Sequence, residues 1–529
     1  MSYIHPVGID LGTTNSAVAV VTELGHTEMI PNSWGESLTP SCIFLEDGTV
    51  VIGREARKAH NFGLENVASN VKREIGQPLF SHELGGRQFP PEVLEAYILK
   101  QLDADLRQRI TGSFEVVVTV PAFFDESRRQ KTIDAAHIAG LKLIDIINEP
   151  TAAALAFGEQ LGYLRPQANI KESMRLLVYD LGGGTFDVTI IELSPDGIRT
   201  LATDGDVRLG GYDWDRRLRD YVSQKFEDRF RVDPRSDRQT RLRLTHLCEE
   251  AKRTLSARRQ TIVGVDYDGR HLDVEVTRDA LEILTADLLE RTLHTTRQVL
   301  RQANSDWSKI DRILLVGGST RMPMVSNRLR EESGIEPDNS VNPDEAVARG
   351  AAIFATDRLR RRGALTATLK VNVIDVNSHS LGIEGIDQVT GRKQNIIVIP
   401  KNSPLPIEVS QTFATKMDGQ SSVVIRVLEG DSPDIQACIP VGKAVLRDLP
   451  ARLPKGHPIY ISYNYGTDGR LQVRAQVAGE AEQLLVEFQR TGRMDDRRLR
   501  DWRRVVEGNP DGNRLDELLE EVFGDERQP

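Results

Sequence analysis

Asp10 and Asp180 stand at matching points of two stretches that spell nearly the same thing about a third of the chain apart. The first reads Val7-Gly8-Ile9-Asp10-Leu11-Gly12-Thr13-Thr14-Asn15-Ser16 and runs into Ala17-Val18-Ala19-Val20-Val21. The second reads Leu177-Val178-Tyr179-Asp180-Leu181-Gly182-Gly183-Gly184-Thr185-Phe186-Asp187 and runs into Val188-Thr189-Ile190-Ile191. In each, a buried strand delivers an aspartate to the mouth of a cleft, and glycine or threonine lets the backbone turn its N–H groups toward an anion. Two carboxylates beside a polyphosphate repel it unless a cation sits between them. Mg²⁺ suits that place, because it takes oxygen ligands and keeps several waters. One such turn alone reads more readily as an ordinary tight hairpin. The duplicated pair points to two lobes gripping one phosphorylated ligand.

Two further segments fit such a ligand. Ile313-Leu314-Leu315-Val316 reads as a buried strand, followed by Gly317-Gly318-Ser319-Thr320-Arg321 and a helix from Met322-Pro323. Glycines there let the backbone approach a flat ring on which Arg321 is placed to stack, although a plain strand-to-helix turn reads the same way. Glu249, Lys252, Arg253 and Ser256 lie at i, i+3, i+4 and i+7 and share one helix face. Alone, that is an ordinary solvated face.

The elements that must position these residues alternate strand and helix from residue 1 to about 365, an α/β pattern with internal duplication. Strand-like runs include Glu115-Val116-Val117-Val118-Thr119-Val120 and Leu143-Ile144-Asp145-Ile146-Ile147. The texture changes after the basic turn Arg360-Arg361-Arg362-Gly363. From 376 to about 490 the reading is all-β, with strand-like runs such as Ser422-Val423-Val424-Ile425-Arg426-Val427. The last forty residues or so read as two short helices, the second with Leu515, Leu518, Leu519, Val522 and Phe523 on one apolar stripe.

Composition narrows the classes. At 529 residues and 39% hydrophobic content the chain supports several packed domains. A net charge of −10 without a sustained basic face argues against nucleic acid as a partner. Cys42, Cys248 and Cys438 are widely spaced, which suits a reducing compartment. No apolar run approaches membrane-spanning length and no signal peptide is apparent, so the expected place is the cytoplasm, away from any membrane. The P-loop, HExxH and Gly-x-Ser-x-Gly patterns are absent.

Taken in order, the motifs resemble the DnaK-type heat-shock chaperones of the seventy-kilodalton class, in their bacterial form, over residues 4 to about 488. The resemblance rests on the two acidic hairpins, Val71-Lys72-Arg73, Val120-Pro121-Ala122-Phe123-Phe124, Ile147-Asn148-Glu149-Pro150-Thr151-Ala152-Ala153-Ala154, Leu209-Gly210-Gly211, the 316–321 turn and Asn342-Pro343-Asp344-Glu345-Ala346-Val347-Ala348. It implies an actin-like, two-lobed ATPase domain with a duplicated ribonuclease H-like core at 1–368. A linker at 369–375, a β-sandwich peptide-binding domain at 376–490 and a helical tail at 491–529 follow. So short a tail would leave the family's lid reduced, with bound peptide leaving quickly.

The resemblance also implies roles. Thr13 and Thr14, in one loop with Gly12 and Asn15, contact phosphates. Asp10 and Asp180 hold Mg²⁺ through water. Lys72 reaches the γ-phosphate and the attacking water, which Glu149 and Asp187 orient. Gly182, Gly183, Gly184 and Thr185 line the second phosphate loop. Glu249, Lys252, Arg253 and Ser256 close on the nucleoside opposite Gly317, Gly318, Ser319, Arg321 and Asp344. ATP or ADP with Mg²⁺, and K⁺ beside them, are the implied cofactors. Pro121, Arg129 and the linker residues Val371, Val373, Ile374 and Asp375 relay the nucleotide state. Ile383, Ile386, Phe413, Val423 and Ile425 contact peptide, although as alternating apolar residues they serve equally as sandwich core. Unfolded polypeptides, a J-domain co-chaperone and a nucleotide exchange factor are the implied partners.

The sequence departs from the family pattern in places. Asp145 stands where a basic residue usually helps dock the J-domain, so a specialised partner is expected. His379 replaces an apolar residue expected near the peptide groove. Arg208 and Tyr212 flank Leu209-Gly210-Gly211 where His and Glu are usual, and Asn372 makes the linker more polar. The expected function is an ATP-driven chaperone for extended apolar segments. The alternative is a nucleotide-binding holdase or exchange-factor-like co-chaperone with little cycling. An actin-fold sugar kinase or filament protein is disfavoured by the C-terminal β-region.

Overall fold

The computed structural model describes residues 3–46, 48–164, 172–365, 371–387, 391–447, 449–466, 471–479, 484–486, 489–490, 494–508 and 512–525. Residues 369 and 370 of the expected linker and the side chain of Phe523 lie outside the described set.

The chain up to residue 365 is mixed α/β, and its two largest sheets are built alike. Ile4–Asp10 pairs antiparallel with Asn15–Val21 and parallel with Ser113–Val120, in a six-stranded sheet. Met174–Leu181 pairs antiparallel with Phe186–Ser194 and parallel with Arg312–Val316, in a five-stranded sheet. A parallel neighbour on one side and covering helices bury both faces of these central strands, which is why they read as continuous apolar runs.

Between the sheets lie the helices Glu149–Gln160 and Ala346–Arg361, whose alanines join strands of both sheets in one apolar core. The helices cross at backbone distance. A Cβ on Gly350 would stand 1.7 Å from the carbonyl oxygen of Ala152, and one on Gly8 would stand 2.2 Å from the Ala352 nitrogen. The Ala152-Ala153-Ala154 run is small for this reason. The Glu149–Gln160 helix takes Pro150 in its first turn, where a missing N–H costs nothing. The helix Glu126–Ile138 is started by Asp125, whose side chain accepts from the Arg128 N–H at 2.8 Å.

Smaller units flank this frame. A three-stranded sheet of Cys42–Glu46, Thr49–Ile52 and Val67–Ser69 packs with the helix Arg54–Asn61. A two-stranded hairpin, Gln260–Tyr267 with Arg270–Thr277, packs on the helices Gly211–Phe230 and Arg238–Ala257.

Beyond residue 376 the described strands form a five-stranded and a four-stranded antiparallel sheet enclosing an apolar core. Among the described residues, the tail helices Asp496–Val506 and Gly512–Asp525 pack on the first half of the chain rather than on this β-region. Trp502, Val505, Val506, Leu518 and Leu519 pack into the core beneath the first sheet, against the helices Pro91–Arg109 and Glu126–Ile138. No helix among the described residues is long and apolar enough to cross a membrane.

Candidate functional site

The two acidic hairpins face one another across a cleft of about 840 Å³. Their loops touch. A Cβ on Gly183 would lie 2.0 Å from Thr14 Oγ1, and one on Gly184 would lie 2.6 Å from Thr13 Cγ2. Asp10, Gly12, Thr13, Thr14 and Asn15 line the cleft from one side, and Asp180, Gly182, Gly183 and Thr185 from the other. Gly184 and Asp187 lie just behind the lining. The Phe123 N–H donates to the Asp187 carboxylate at 2.9 Å.

Lys72 is buried at the floor. It sits on the short turn Val71–Arg73, and its Nζ donates to Glu149 Oε1 at 2.5 Å and to the Leu11 carbonyl at 2.6 Å. Burial by itself lowers a lysine's pKa, but Glu149 and Asp10 outweigh that and raise it, so the ammonium is kept. The nearby carboxylates behave in the opposite sense. Burial first, and then the negative charge of Glu149, carry Asp10 and Asp187 each up to about 7. Burial, followed by Glu149, Asp187 and Asp10, holds Asp180 well above the usual carboxylate range. Acids crowded around one ammonium make a site short of positive charge, and a cation would relieve it. Among the described residues no group of three or more His, Cys, Asp or Glu side chains is arranged to hold a metal directly. Carboxylate oxygens of Asp10 and Asp180 at the cleft are a donor type that suits a hard, hydrated cation.

The far end of the cleft is lined by Glu249, Lys252, Arg253, Ser256, Gly317, Gly318, Ser319, Arg321 and Asp344. Several of these are already engaged. Lys252 Nζ donates to the Gly211 carbonyl and to Asp215 at 2.9 Å, tying its helix to the Gly211–Phe230 helix. Arg253 pairs with Glu249 at 2.7 Å, and Arg321 with Asp344 at 2.6 Å. Ser319 Oγ donates to the Gly182 carbonyl at 2.8 Å, which links the third glycine turn to the second loop. Gly317 has φ +81°, and a Cβ there would stand 2.7 Å from Asp180 Oδ1, so the turn passes where a side chain cannot.

Sequence reasoning missed the residues that close the cleft. Arg73 bonds Asp213 at 3.1 Å and the Arg208 carbonyl at 2.9 Å, and lies over the Tyr212 ring. Arg57 reaches Glu249 at 3.5 Å. Thr119 Oγ1 donates to Asp10 at 3.2 Å. Partners so far apart in the chain leave no local pattern. The departures at Arg208 and Tyr212 were the one available hint, and both residues meet Arg73.

Residues 371–375 are engaged from both sides. Val373–Ile374 extends the second large sheet, parallel to Gly197–Asp206, with Ile198 opposite Val373 and Arg199 opposite Ile374. The Asn372 carbonyl accepts from the Ile198 N–H at 2.8 Å, so its polar side chain does not prevent pairing. Val371 is buried in the core between the sheets. Asp375 Oδ2 accepts from Asn148 Nδ2 at 2.8 Å and from Thr151 Oγ1 at 3.0 Å. Arg129 bonds the other end of Asn148, at 2.5 Å, and the Ala122 carbonyl beside Pro121 at 3.2 Å. Asn148 and Thr151 flank Glu149, the partner of Lys72.

Two expectations change. His379 is engaged by Phe123, a residue far away in the chain. Its Nε2 lies 3.1 Å from the Phe123 carbonyl and its ring 4.3 Å from the Phe123 ring. Its place two residues before Leu381–Ile386 puts it at the strand's entry rather than along the sheet. Asp145 is not a free negative charge, since Arg358 pairs with it at 2.8 Å. Of the five proposed peptide contacts, Ile383 and Ile425 are buried in the sandwich core, Phe413 and Val423 pack half-buried on it, and Ile386 is exposed.

The comparisons with known proteins agree with this geometry. The Hsp70 protein family matches residues 6–84 and 77–508. The chain is 38% identical over 488 residues to the chaperone protein DnaK of Thermotoga neapolitana, covering 90% of this chain and 79% of that one. It is 39% identical over the same length to the DnaK proteins of Thermotoga petrophila and Thermotoga maritima, with the same coverage. A cleft built between duplicated acidic hairpins and a match of this extent place the chain in the Hsp70 family, among its DnaK-type members.

Proposed function

We propose that nucleotide in the cleft governs how the β-region holds polypeptide, with the linker as the connection. As a DnaK-type Hsp70, the protein is an ATP-dependent chaperone and an ATPase. The observation that carries the coupling is the position of Asp375, held by the two residues that flank Glu149. A shift of Glu149 and Lys72 when the γ-phosphate leaves would reach the linker through Asn148 and Thr151.

In this reading residues 1–368 form an actin-like ATPase domain of two lobes. The two sheets of matching topology, joined by crossed helices, support it. Residues 369–375 are the linker, 376–490 the peptide-binding sandwich and 491–529 a helical tail. Thr13, Thr14, Gly182, Gly183 and Thr185 hold phosphates through hydroxyl and backbone N–H groups. Asp10 and Asp180 would hold Mg²⁺ through water, and the ion would supply positive charge to the transferred phosphoryl group; K⁺ would suit the same acidic surroundings. Lys72 stabilises the γ-phosphate, while Glu149 and Asp187 orient the attacking water. Glu249, Lys252, Arg253, Ser256, Gly317, Gly318, Ser319, Arg321 and Asp344 enclose the nucleoside.

Ile386, with Phe413 and Val423 at the core's edge, offers apolar surface to an extended peptide, and Ile383 and Ile425 support it from within. A J-domain co-chaperone and an exchange factor complete the cycle. Arg358 and Arg362 beside Asp145 give the J-domain face positive charge. Three buried free thiols suit a cytoplasmic setting. Single-turnover hydrolysis with and without peptide tests this function. Lys72→Ala is expected to slow the step by about 10²–10³-fold, and a wild-type rate no faster than that variant's would refute the reading.

A further inference from the structure

Near Lys72, and outside the residues that line the cleft, lies a carboxyl group that nothing above uses. Glu95 is on the helix Pro91–Arg109, which packs against the turn carrying Lys72. It is 1% exposed, and neither of its carboxyl oxygens has a hydrogen-bond partner. An unpartnered carboxylate in such a place costs far more than a neutral carboxyl. Burial is the main reason its pKa rises from 4.5 to about 8. The charges that bear on it come from three elements. They are Lys72 on the turn, Glu149 at the start of the Glu149–Gln160 helix, and Glu92 one turn earlier on its own helix. Lys131 of the facing helix pairs with Glu92 at 2.5 Å, and Asp134 on that helix is turned toward the Met494 backbone. Among the described residues Lys72 is the cation that bears on Glu95, and it is already shared between Glu149 and the Leu11 carbonyl.

We propose that Glu95 is a positioning residue for ATP hydrolysis, which in its neutral form leaves Lys72 to the cleft and in its ionised form draws Lys72 back from it. Two carboxylates would then compete for the ammonium. Glu149 holds it toward the phosphate side, and an ionised Glu95 competes from the helix side. The consequence is an alkaline limit on hydrolysis set by a residue that never touches nucleotide. This rests on the role given to Lys72, and the two fail differently. Loss of the Lys72 role would leave Lys72→Ala as active as wild type at every pH, whereas loss of the Glu95 role alters only the alkaline limb.

The test is the pH profile of single-turnover hydrolysis by the full chain, with saturating MgATP, from about pH 6 to about pH 9.5. The wild-type rate is expected to fall about tenfold per pH unit above about pH 8. Glu95→Gln and Glu95→Ser are expected to keep the neutral rate within about threefold and to carry the plateau at least one unit further. Glu95→Asp, which restores a carboxyl, should bring an alkaline limb back. A wild-type rate that stays flat through about pH 9 overturns the proposal without any variant. So does a folded Glu95→Gln or Glu95→Ser protein whose profile superimposes on that of wild type.

Discussion

The two acidic hairpins start from almost the same sequence and end with different tasks. After Asp10 the first loop has threonines at 13 and 14, and after Asp180 the second has glycines at 183 and 184. In the structure the threonine side chains occupy the space where Cβ atoms on those glycines would go. One loop supplies hydroxyls, and the other supplies room and backbone N–H groups. The same division recurs around the linker. The half carrying the first sheet holds Asp375 with the side chains of Asn148 and Thr151. The half carrying the second sheet takes Val373 and Ile374 as an added strand. A duplicated fold need not be used symmetrically, because a ligand bound between two copies meets each from a different side.

The sharpest way to break this comparison is at the matching glycines. A Cβ on Gly12 would stand 2.1 Å from the Asn15 carbonyl oxygen, while one on Gly182 would have its nearest neighbour at 3.6 Å. Gly12→Ala is expected to lower unfolding stability by about 1–3 kcal/mol and to weaken nucleotide binding. Gly182→Ala should stay within about 1 kcal/mol of wild type. Thermal unfolding of both variants checks this, and equal losses would remove the asymmetry.

The linker offers a somewhat smaller effect. Asp375→Ala removes the side-chain hold but leaves the strand pairing of Val373 and Ile374. Stimulation of hydrolysis by peptide should fall by the equivalent of about 1–3 kcal/mol of coupling, with the basal rate little changed. A variant that couples normally would mean that backbone pairing alone carries the signal.

The smallest effect is in how the β-region meets the two halves. On the second half, Lys401 pairs with Asp204 at 2.8 Å, an ordinary union of opposite charges. On the first, Glu429 accepts from the Glu126 N–H at 2.9 Å in a fully buried acidic setting. Burial, and then Asp125, raise the pKa of Glu429 from 4.5 to about 8. Docked Glu429 therefore holds a proton that the undocked group gives up at neutral pH. The contact it makes is fully favourable below about pH 4.5 and is lost as pH rises through about 8. Energy transfer between labels on the β-region and the first half should show docking loosen over that interval. Glu429→Gln should make docking insensitive to pH, and a variant that keeps the wild-type dependence would exclude Glu429 as its source.

The candidate site was legible where chemistry is local. Asp-Leu-Gly before a small-residue turn fixes a strand, a bend and an outward carboxylate within a few residues, and the i, i+3, i+4, i+7 spacing fixes a helix face around Lys252. The same spacing did not reveal that Lys252 spends its donors on Asp215 and Gly211, because those partners come from another helix. His379 was read from its neighbours in sequence, but the Phe123 carbonyl it meets lies 256 residues away.

The sequence by itself determined the repeated hairpins, the switch from α/β to β near residue 376 and the membership of the chain in its family. These rest on periodicity, glycine placement and motif order, which are properties of short segments. Only the tertiary structure decided that the glycines of one loop make space for the threonines of the other, that Asp375 bonds Asn148 and Thr151, and that an unpaired buried acid interacts with Lys72. Burial and Coulomb interactions depend on what surrounds a group in space, and folding sets that environment from residues far apart in the chain.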